Sequence, residues 1–382
     1  MVRELIAQGH EVEVVTALPN HPEGRIHPAY QRKAFCVEHL DGARVKRVWM
    51  FAATGAGPKR LVSYLSFCVT SIFALLTCRR PDLIFVESPP LFLGAPAWVA
   101  SFIWRRPFLF NVADLWPDSA VEMGMIGPGR RLDVLEAFER WIYRRARWVN
   151  AVTEGIRTTL LDDKGVPRSR LTFLPNGVDL NLFRPGAPSA GARAAMGDGR
   201  VILYAGTVGL AQGLDVALDA VQRVRRTHRD VHLVLLGAGS DRSRLEARVR
   251  DEALEGVRFI DPVPVDVVAD FYRAAHAGLA TLKNLPLFEG ARPSKIFPIM
   301  ASALPVLYSG SGEGARLVQD NGAGSISRPE DVDDLAASMI RVLDDPEAAS
   351  AMGRAGRALV EREYSWHALV SSWLAEITLD PR

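Results

Sequence analysis

The segment EGARPSKIFPIM, residues 289–300, places a carboxylate, two cations and a hydroxyl within seven positions, directly before an apolar helix-like run. These residues are Glu289, Arg292, Ser294 and Lys295, and two interpretations fit them. In the first, they form a solvated loop in which Ser294 caps the helix that follows. In the second, they form an anion site, because a helix start offers unpaired N–H groups and a positive dipole end. Arg292 and Lys295 would then add charge for a diphosphate.

A second group of carboxylates follows a strand-like run in NVADLWPDSAVEMG. Asp114 comes directly after the predicted strand PFLFNV, at the carboxyl end, where α/β folds place their chemistry. Trp116 stiffens the turn with the proline that follows it, and Asp118 adds a carboxylate. Alternatively, Asp114 only caps the next helix. Glu87, in ESPPLFLG, ends the neighbouring predicted strand in the same way, so we expect both acids to face one cleft.

Two glycine-rich turns follow predicted strands in the second half of the chain. In YAGTVGLAQGLD, Gly206 and Gly209 allow the backbone to approach a phosphate closely, although a tight corner would need the same residues. In LLGAGSDRSRLE, Gly237 begins an imitation of the dinucleotide fingerprint, but Arg242 stands where its third glycine belongs. The sequence therefore does not favour an NAD site.

Other acidic residues and histidines do not indicate a metal site. Asp331 and Asp333 are typical of the acidic first turn of a helix. His21 and His27 lie in a proline-rich stretch without a nearby cysteine or a second ligand pair.

Short β-branched runs alternate with helical stretches along the whole chain, which is typical of βαβ units. Several runs are continuously apolar, as parallel strands covered on both faces should be. We predict an α/β protein with two doubly wound domains, residues 1–180 and 200–360, facing a cleft. Residues 181–199 are the predicted linker, and residues 361–382 form a C-terminal helix that could pack back on the first domain. The predicted strands are VEVVTA, VKRVWM, DLIFVES, PFLFNV, RWVNAVT and LTFLPN in the first half, and VILYAGT, VHLVLLG, VRFID, AGLATL and PVLYSG in the second.

Composition supports a folded protein of two domains. The chain has 382 residues, of which 48% are apolar and 24% charged. Its three cysteines have no metal-like spacing and fit a reducing compartment. Residues 1–180 hold 23 Lys and Arg against 18 Asp and Glu, whereas residues 181–382 hold 23 against 26. The basic first half suggests that one end of the protein meets a polyanion or a membrane surface.

The run LVSYLSFCVTSIFALLTC, residues 61–78, contains no charge and is followed by Arg79 and Arg80. Its length alone would permit a transmembrane helix. However, a buried strand follows at once, so a spanning helix would cut the first domain in two. We favour a buried or partly membrane-contacting helix.

The chain begins with VRELIAQGHEVEVVT, a helix followed by a strand, whereas an α/β domain normally opens with a strand. The first strand of the N-terminal domain is therefore apparently missing. We expect roughly 20 to 30 further residues upstream of Met1, enough for one βα unit with a glycine-containing loop.

Seven segments, in order across nearly the whole chain, together resemble the family-4 glycosyltransferases of the GT-B fold, in particular their colanic-acid or fucosaminyltransferase-like branch. They are ALPNHPEGRIHPAY, ESPPLFLG, DLWPDS, LPNGVD, YAGTVGLAQGLD, ARPSKIF and GEGA. The resemblance implies two Rossmann-like domains: the C-terminal one binds a nucleotide sugar, and the N-terminal one binds an acceptor, often a polyprenyl-linked saccharide at the membrane. It also implies transfer with retention at the anomeric carbon, without an obligatory metal or other cofactor.

On the donor side, the resemblance assigns Glu289 to the first of two family glutamates, which acts on the donor sugar. Pro298 stands where the second glutamate, which commonly holds the ribose, would fall, and Glu313 is the nearest substitute. Many relatives carry an arginine and a lysine in the loop that contains Thr207, so cations elsewhere must neutralise the diphosphate. The predicted donor-binding residues are Gly206, Thr207, Gly209, Gln212, Gly237, Val263, Arg292, Ser294, Lys295 and Glu313.

On the acceptor side, the resemblance implies that Asp114 positions or deprotonates the acceptor. Relatives often place a histidine just before this aspartate, whereas this chain has Ala113. Further acceptor-side residues are predicted to be His21, Glu87, Trp116 and Asp118.

We therefore predict a retaining glycosyltransferase that moves a sugar, N-acetylated and UDP-linked by resemblance, to a polyprenyl-diphosphate-linked or oligosaccharide acceptor in exopolysaccharide or lipopolysaccharide biosynthesis. We expect a cytoplasmic protein, peripheral on the anionic inner face of the cytoplasmic membrane, that binds no nucleic acid. Two alternatives stay open: a GT-B-type sugar-nucleotide 2-epimerase, and a catalytically inactive scaffold of a polysaccharide assembly complex. The epimerase would need histidines clustered around UDP, and the scaffold would not need to bind UDP.

Overall fold

The chain divides into two α/β units. The computed structural model describes residues 1–20, 24–53 and 58–377. The first unit contains Met1–Pro175 and the chain from Val370 onward, and the second contains Asn176–Leu369. The predicted α/β class is therefore confirmed, and each unit is described by itself below.

The first unit contains seven strands among its described residues. They are β1 (Glu13–Ala17), β2 (Phe35–Leu40), β3 (Ala43–Val48), β4 (Ile84–Ser88), β5 (Phe108–Val112), β6 (Trp148–Ala151) and β7 (Leu171–Phe173). Its helices are α1 (Val2–Ala7), α2 (Pro58–Leu76), α3 (Gly94–Trp104), α4 (Asp118–Glu122), α5 (Arg130–Arg145) and α6 (Glu154–Asp162).

These strands form two sheets. One sheet is parallel and has the order β4-β5-β6-β7, and all five residues of β5 are buried, as its apolar sequence predicts. The other has the order β1-β3-β2, with β2 antiparallel to β3. Strand β2 was not among the predicted strands, although Asp41 and Gly42, both at positive φ, form the kind of Asp-Gly turn that is typical of a hairpin.

Helix α2 is the uncharged run that the sequence analysis singled out. Among the described residues, Lys59–Leu76 is the one helical stretch long and apolar enough to cross a membrane, judged by length and composition only. Only 22% of that stretch is buried inside the protein, so of the two predicted alternatives, a buried or a partly membrane-contacting helix, the first is wrong. Contact with a membrane stays a prediction.

The second unit contains a single parallel sheet. Its strands are β8 (Arg200–Ala205), β9 (Val231–Leu236), β10 (Val257–Ile260), β11 (Ala277–Thr281), β12 (Val306–Ser309) and β13 (Gly324–Ser327). The helices in and after this unit are α7 (Ala190–Met196), α8 (Asp215–Arg225), α9 (Arg242–Asp251), α10 (Val265–Ala274), α11 (Ile296–Ala301), α12 (Gly312–Asp320), α13 (Val332–Asp344), α14 (Pro346–Glu363) and α15 (Trp366–Glu376).

The strand order β10-β9-β8-β11-β12-β13 is that of a doubly wound fold, with the chain reversing direction across the sheet between β8 and β11. Side chains of β8 alternate between the two apolar cores: Leu203 belongs to one and Tyr204 to the other. Both faces of the sheet are therefore covered. Ligands of such folds bind outside the carboxyl ends of the strands, next to the reversal.

The chain ends of the second unit differ from the predicted boundaries. The predicted linker, residues 181–199, contains α7, whose Ala192 and Met196 are buried in a core of this unit. The last helix, α15, begins in the second unit and belongs to the first from Val370 onward. There Trp373 packs edge-on against Phe85 with ring centroids 5.8 Å apart.

Helix α11 approaches the sheet closely because β11 carries a glycine. A side-chain carbon on Gly278 would lie 2.4 Å from Ile299 of α11. This contact fixes the height of α11 above the sheet and, with it, the position of Lys295 directly before the helix.

We predict that Gly278→Ala lowers the free energy of unfolding by about 1–3 kcal/mol, because overpacking forces α11 away from the sheet. Urea titration of Gly278→Ala, Ile299→Ala and the double variant that combines them measures the effect. The change Ile299→Ala should cost less when it is combined with Gly278→Ala than when it is made in the wild type. Gly191→Ala is the matched control, since a side-chain carbon there meets nothing within 4 Å. A loss at Gly278 no larger than at Gly191 would contradict the packing argument.

Candidate active site

The candidate site of the second unit is built on two glycine turns at the carboxyl ends of β8 and β9. Gly206 has φ +147° and Gly237 has φ +140°, a region that favours glycine. A side-chain carbon on Gly237 would lie 2.0 Å from the carbonyl oxygen of Gly206. The two turns therefore touch backbone to backbone.

Lys295 closes this site from the α11 side. A side-chain carbon on Gly206 would lie 2.6 Å from Cε of Lys295, and Nζ of Lys295 lies 5.1 Å from the centre of the Tyr204 ring. Burial of the amine lowers the pKa of Lys295 to about 8. The second unit thus holds the cationic amine of Lys295 beside the backbone of Gly206. Because Gly206 has no side chain, an anion can approach both groups.

The loop after Gly206 is held in place by its own polar groups. The Tyr204 hydroxyl donates to the carbonyl oxygen of Thr207 at 2.5 Å, and the Gly209 amide donates to Oε1 of Gln212 at 3.0 Å. Thr281 of β11 donates to the Gln212 carbonyl oxygen at 2.7 Å. Thr207, directly after Gly206 in this loop, is exposed.

Glu289 lies on a short turn that is fixed to the start of α12. The residue is exposed within the 3-10 turn Pro286–Gly290. A side-chain carbon on Gly312 would lie 2.2 Å from the Glu289 carbonyl oxygen, and the Gly314 amide donates to the Ala291 carbonyl oxygen at 3.2 Å. The exposed carboxylate is thus carried by a turn that the neighbouring helix start supports.

Arg292 was predicted to bind the diphosphate, but its guanidinium points into the second unit and contacts protein groups there. Its side chain is buried, its guanidinium donates to the Tyr364 hydroxyl at 2.9 Å, and Nε lies 3.6 Å from the carboxylate of Glu313. Both partners lie inside the second unit, so these contacts favour a supporting role for Arg292. The predicted ribose contact of Glu313 stays a prediction, and its carboxylate already faces a cation.

The helix after this loop also differs from both opening interpretations. Helix α11 begins at Ile296 with Lys295 as its N-cap residue, and no side chain caps it, so a Ser294 cap is wrong. Ser294 is exposed instead. With six residues, α11 aligns few peptide dipoles, and the charge of Lys295 therefore matters more than the helix end. Pro298 falls in the first turn, where its missing N–H costs little.

Val263, the predicted contact to the base, follows β10. Its side chain is half-buried and packs against a core of the second unit, so only its backbone groups are available for a polar contact with a ligand.

In the first unit, Asp114 lies just beyond the carboxyl end of β5. The Ser119 hydroxyl donates to its Oδ2 atom at 3.0 Å, and burial raises the pKa of the Asp114 carboxyl. The alternative that Asp114 caps the next helix is wrong, since the N-cap residue of α4 is Pro117. A partly buried carboxylate with a raised pKa suits a general base.

Asp118 and Trp116 lie close to Asp114 in sequence but make structural contacts. Lys164 donates to Asp118 at 2.8 Å and to the fully buried Glu139 at 2.9 Å. Trp116 packs edge-on against Phe92 with centroids 5.6 Å apart. Both residues therefore help to fix the turn that carries Asp114.

Glu87 ends a row of polar side chains that the sequence analysis missed. Asn111 donates to Glu87 at 2.9 Å, Asn150 donates to Asn111 at 2.6 Å, and Thr172 donates to Asn150 at 2.9 Å. These residues are in register across β4, β5, β6 and β7. Burial raises the pKa of the Glu87 carboxyl. Each asparagine interrupts an apolar run, FLFNV or WVNAV, which is the signal that could have revealed the row.

His21 lies outside the described residues. Within residues 1–20, 24–53 and 58–377, no group of three or more His, Cys, Asp and Glu side chains is arranged to hold a metal ion. Asp331 caps α13 by accepting from the Asp334 amide, which confirms its predicted place at a helix start.

Known proteins match both halves of the chain. A family model described as a glycosyl transferase 4-like domain matches residues 1–177, and one described as glycosyl transferases group 1 matches residues 199–345. The D-inositol 3-phosphate glycosyltransferase of Thermobispora bispora is 30% identical over 408 residues, which covers 99% of this chain and 87% of that protein. The Escherichia coli K12 protein WcaI, whose name assigns it to colanic acid biosynthesis as a glycosyl transferase, is 26% identical over 79% of this chain and 75% of its own length.

Solved structures of sugar-transferring enzymes and related proteins have the same fold as this chain. A sucrose-phosphate synthase of Thermosynechococcus elongatus matches with a TM-score of 0.72 at 22% identity, over 97% of this chain and 89% of that one. HepE of Anabaena, solved with UDP-glucose, matches with a TM-score of 0.70 at 16% identity, over 96% of this chain and all of its own. The chain belongs to the family-4 glycosyltransferases, and its two Rossmann-like domains are those of the GT-B fold. It is an enzyme that transfers sugar residues.

The lowered pKa of Lys295 predicts how UDP binding depends on pH. Below about pH 8 the amine of the free protein is protonated and attracts a diphosphate, whereas above it the proton is lost, so affinity should fall as pH rises through about 8. Calorimetric titrations with UDP should start near pH 7, where a terminal phosphate with a second pKa of about 6 is mostly ionised.

Lys295→Met should weaken UDP binding at neutral pH and remove the fall above about pH 8. Lys33→Met is the matched control, because Lys33 also lies over a tyrosine ring, 5.0 Å from the centre of Tyr30, but is exposed in the first unit. A fall in affinity above pH 8 that persists in Lys295→Met would show that another group causes it.

Proposed function

We propose that the protein is a retaining glycosyltransferase that uses a UDP-sugar and acts in surface polysaccharide biosynthesis. The observation that carries the donor assignment is Lys295, held against Gly206 at the carboxyl end of β8. The structure of HepE with UDP-glucose supports a UDP-linked donor for this chain as well. The name of WcaI, which mentions colanic acid biosynthesis, supports a biosynthetic role for this chain. An N-acetylated sugar is our preferred donor, on the resemblance of the sequence motifs.

In the proposed reaction, a hydroxyl oxygen of the acceptor bonds to the anomeric carbon of the sugar as the bond from that carbon to the diphosphate oxygen breaks. Negative charge develops on the departing diphosphate, and Lys295 stabilises it there. Glu289 orients the sugar. Asp114 accepts the acceptor proton, a role for which its raised pKa is suited. No metal is required by this scheme.

The proposed acceptor is a polyprenyl-diphosphate-linked saccharide or an oligosaccharide. A lipid-linked acceptor would place the enzyme in the cytoplasm, peripherally on the inner face of the cytoplasmic membrane. The named relatives, which are transferases and synthases, support a transferase over the epimerase and the scaffold.

Incubation with a panel of UDP-sugars and polyprenyl-diphosphate sugars tests the proposal. We expect transfer from one UDP-sugar, with release of UDP and retention of the anomeric configuration in the NMR spectrum of the product. An inverted product would contradict the retaining reaction, and absence of transfer from every UDP-sugar of the panel would contradict the donor assignment.

Glu289 and Lys295 should have separable roles. Glu289→Gln should lower kcat about 100-fold while UDP affinity changes less than about twofold, because the carboxylate contacts the sugar. Lys295→Ala should weaken UDP binding about 5- to 150-fold, since a charged hydrogen bond of about 1–3 kcal/mol is lost.

Initial rates and UDP titrations on the same preparations separate these effects. Glu347→Gln, an exposed first-turn glutamate of α14, serves as the control and should change neither quantity. Equal losses of UDP affinity in the Glu289 and Lys295 variants would contradict the division of roles.

A further inference from the structure

Helix α2 carries small side chains on its inner side and large apolar side chains on its outer side. The buried residues are Ser63, Cys68, Ser71 and Ala74, with exposures of 0%, 8%, 3% and 2%. Six large apolar side chains, 44–67% exposed, follow one another at helical spacing: Leu61, Val62, Leu65, Val69, Phe73 and Leu76. A surface helix in contact with water normally shows the opposite arrangement. The outer side of α2 is therefore suited to an apolar surrounding.

The apolar surface continues onto α3. Phe102 and Ile103, near the end of α3, are 75% and 51% exposed. Arg80, just after α2, donates to the carbonyl oxygen of Trp104 at 3.1 Å, which brings the ends of the two helices together. We call the six outer side chains of α2, together with Phe102 and Ile103, the apolar face.

A recess beside the apolar face extends it into the protein. It has a volume of about 280 Å³ and lies between α2 and the hairpin of β2 and β3, with Phe35, Val48, Phe73 and Thr77 among its lining residues. Its lining is mostly apolar, so it suits part of a hydrocarbon chain rather than a polar ligand.

Positive charge surrounds the apolar face. Residues 58–80 and 91–106 contain six cations and no carboxylate: Lys59, Arg60, Arg79, Arg80, Arg105 and Arg106. Arg79 pairs with Glu11 and Arg106 with Asp82. Arg60 and Arg80 donate to neutral oxygens, which leaves their charge uncompensated by those contacts. Cations at both ends of an apolar helix complement the charge of anionic lipid headgroups.

Polar contacts hold α2 against the first unit along its length. Thr70 donates to the Trp49 carbonyl oxygen at 2.8 Å, and the Phe51 amide donates to the Ser66 hydroxyl at 2.9 Å. The buried Lys46 of β3 donates to Thr77 at 3.2 Å. A helix that crossed a bilayer would break these contacts, so they favour a helix that lies along the membrane surface.

We infer that the apolar face docks the first unit on an anionic lipid bilayer, with α2 parallel to the membrane plane and its outer side chains among the acyl chains. This inference rests on the proposed function, and it names the surface that would hold the enzyme peripherally on the membrane. It brings the acceptor unit, rather than the donor unit, against the lipid.

Flotation with vesicles tests this docking without any sugar chemistry. Phosphatidylcholine vesicles with and without phosphatidylglycerol are used, in the absence of nucleotide sugar and acceptor. Wild-type protein should float with the anionic vesicles, and salt should weaken this binding without abolishing it. Val69→Asp should lower the bound fraction at least about tenfold, because a carboxylate would enter the apolar layer. Val134→Asp is the matched control: Val134 is a 66% exposed valine on α5 of the same unit, and its change should leave binding within about twofold.

Several outcomes would overturn the inference. They are absence of flotation for the wild type, equal losses in the two aspartate variants, or resistance to carbonate extraction, which would indicate a spanning helix. A vesicle-free dimer in sedimentation velocity that Val69→Asp abolishes would assign the face to a second copy. The circular dichroism spectrum and the urea unfolding curve of Val69→Asp should match those of the wild type, which shows that the first unit of the variant is folded. Intact flotation without UDP binding would contradict the proposed function and leave the docking surface in place.

Discussion

The proposed donor site depends on a close approach of backbone to backbone that only glycine allows. Gly206 and Gly237 meet at the carboxyl ends of two central strands: a side-chain carbon on Gly237 would lie 2.0 Å from the Gly206 carbonyl oxygen, and one on Gly206 would lie 2.6 Å from Cε of Lys295. The space left free is occupied on one side by the stem of Lys295, whose amine lies over Tyr204 and has a pKa lowered by burial. A ligand that brings negative charge pairs with this amine and favours its charged form, which burial disfavours, so the site is electrostatically incomplete without an anion.

The first unit uses burial in a different way. Its parallel sheet carries a row of hydrogen-bonded amides and a hydroxyl that ends at Glu87, and the turn after β5 carries Asp114 beside Ser119. Both carboxyls have raised pKa values because protein surrounds them. Lys164 neutralises two further acids and so holds the turn rigid without lowering the basicity of Asp114 by direct contact. The proposed mechanism thus gives proton transfer to Asp114, whose pKa burial raises, and charge stabilisation to Lys295, whose pKa burial lowers.

Much of this architecture follows from the sequence, and the failures have physical causes. Apolar runs alternating with helical ones predict parallel strands, and strand ends then locate Asp114, Gly206 and Gly237. The inward turn of Arg292 depends on Tyr364, 72 positions away, which no local pattern reveals. The row of polar side chains from Glu87 to Thr172 depends on the register of four strands. Which side of α2 stays exposed depends on how the helix packs against the rest of the first unit, and the sequence of the helix alone does not show it. The hairpin of β2 and β3 was not predicted, although the sequence of its Asp41-Gly42 turn indicates one.

Amide hydrogen exchange with and without UDP tests the central claim, that the second unit binds the nucleotide between the glycine turns and Lys295. We predict slowed exchange in residues 204–213 and 289–296 at saturating UDP, with α2 and α5 unchanged. Protection confined to the first unit, or unchanged exchange in both of these segments while UDP is bound, would contradict that claim.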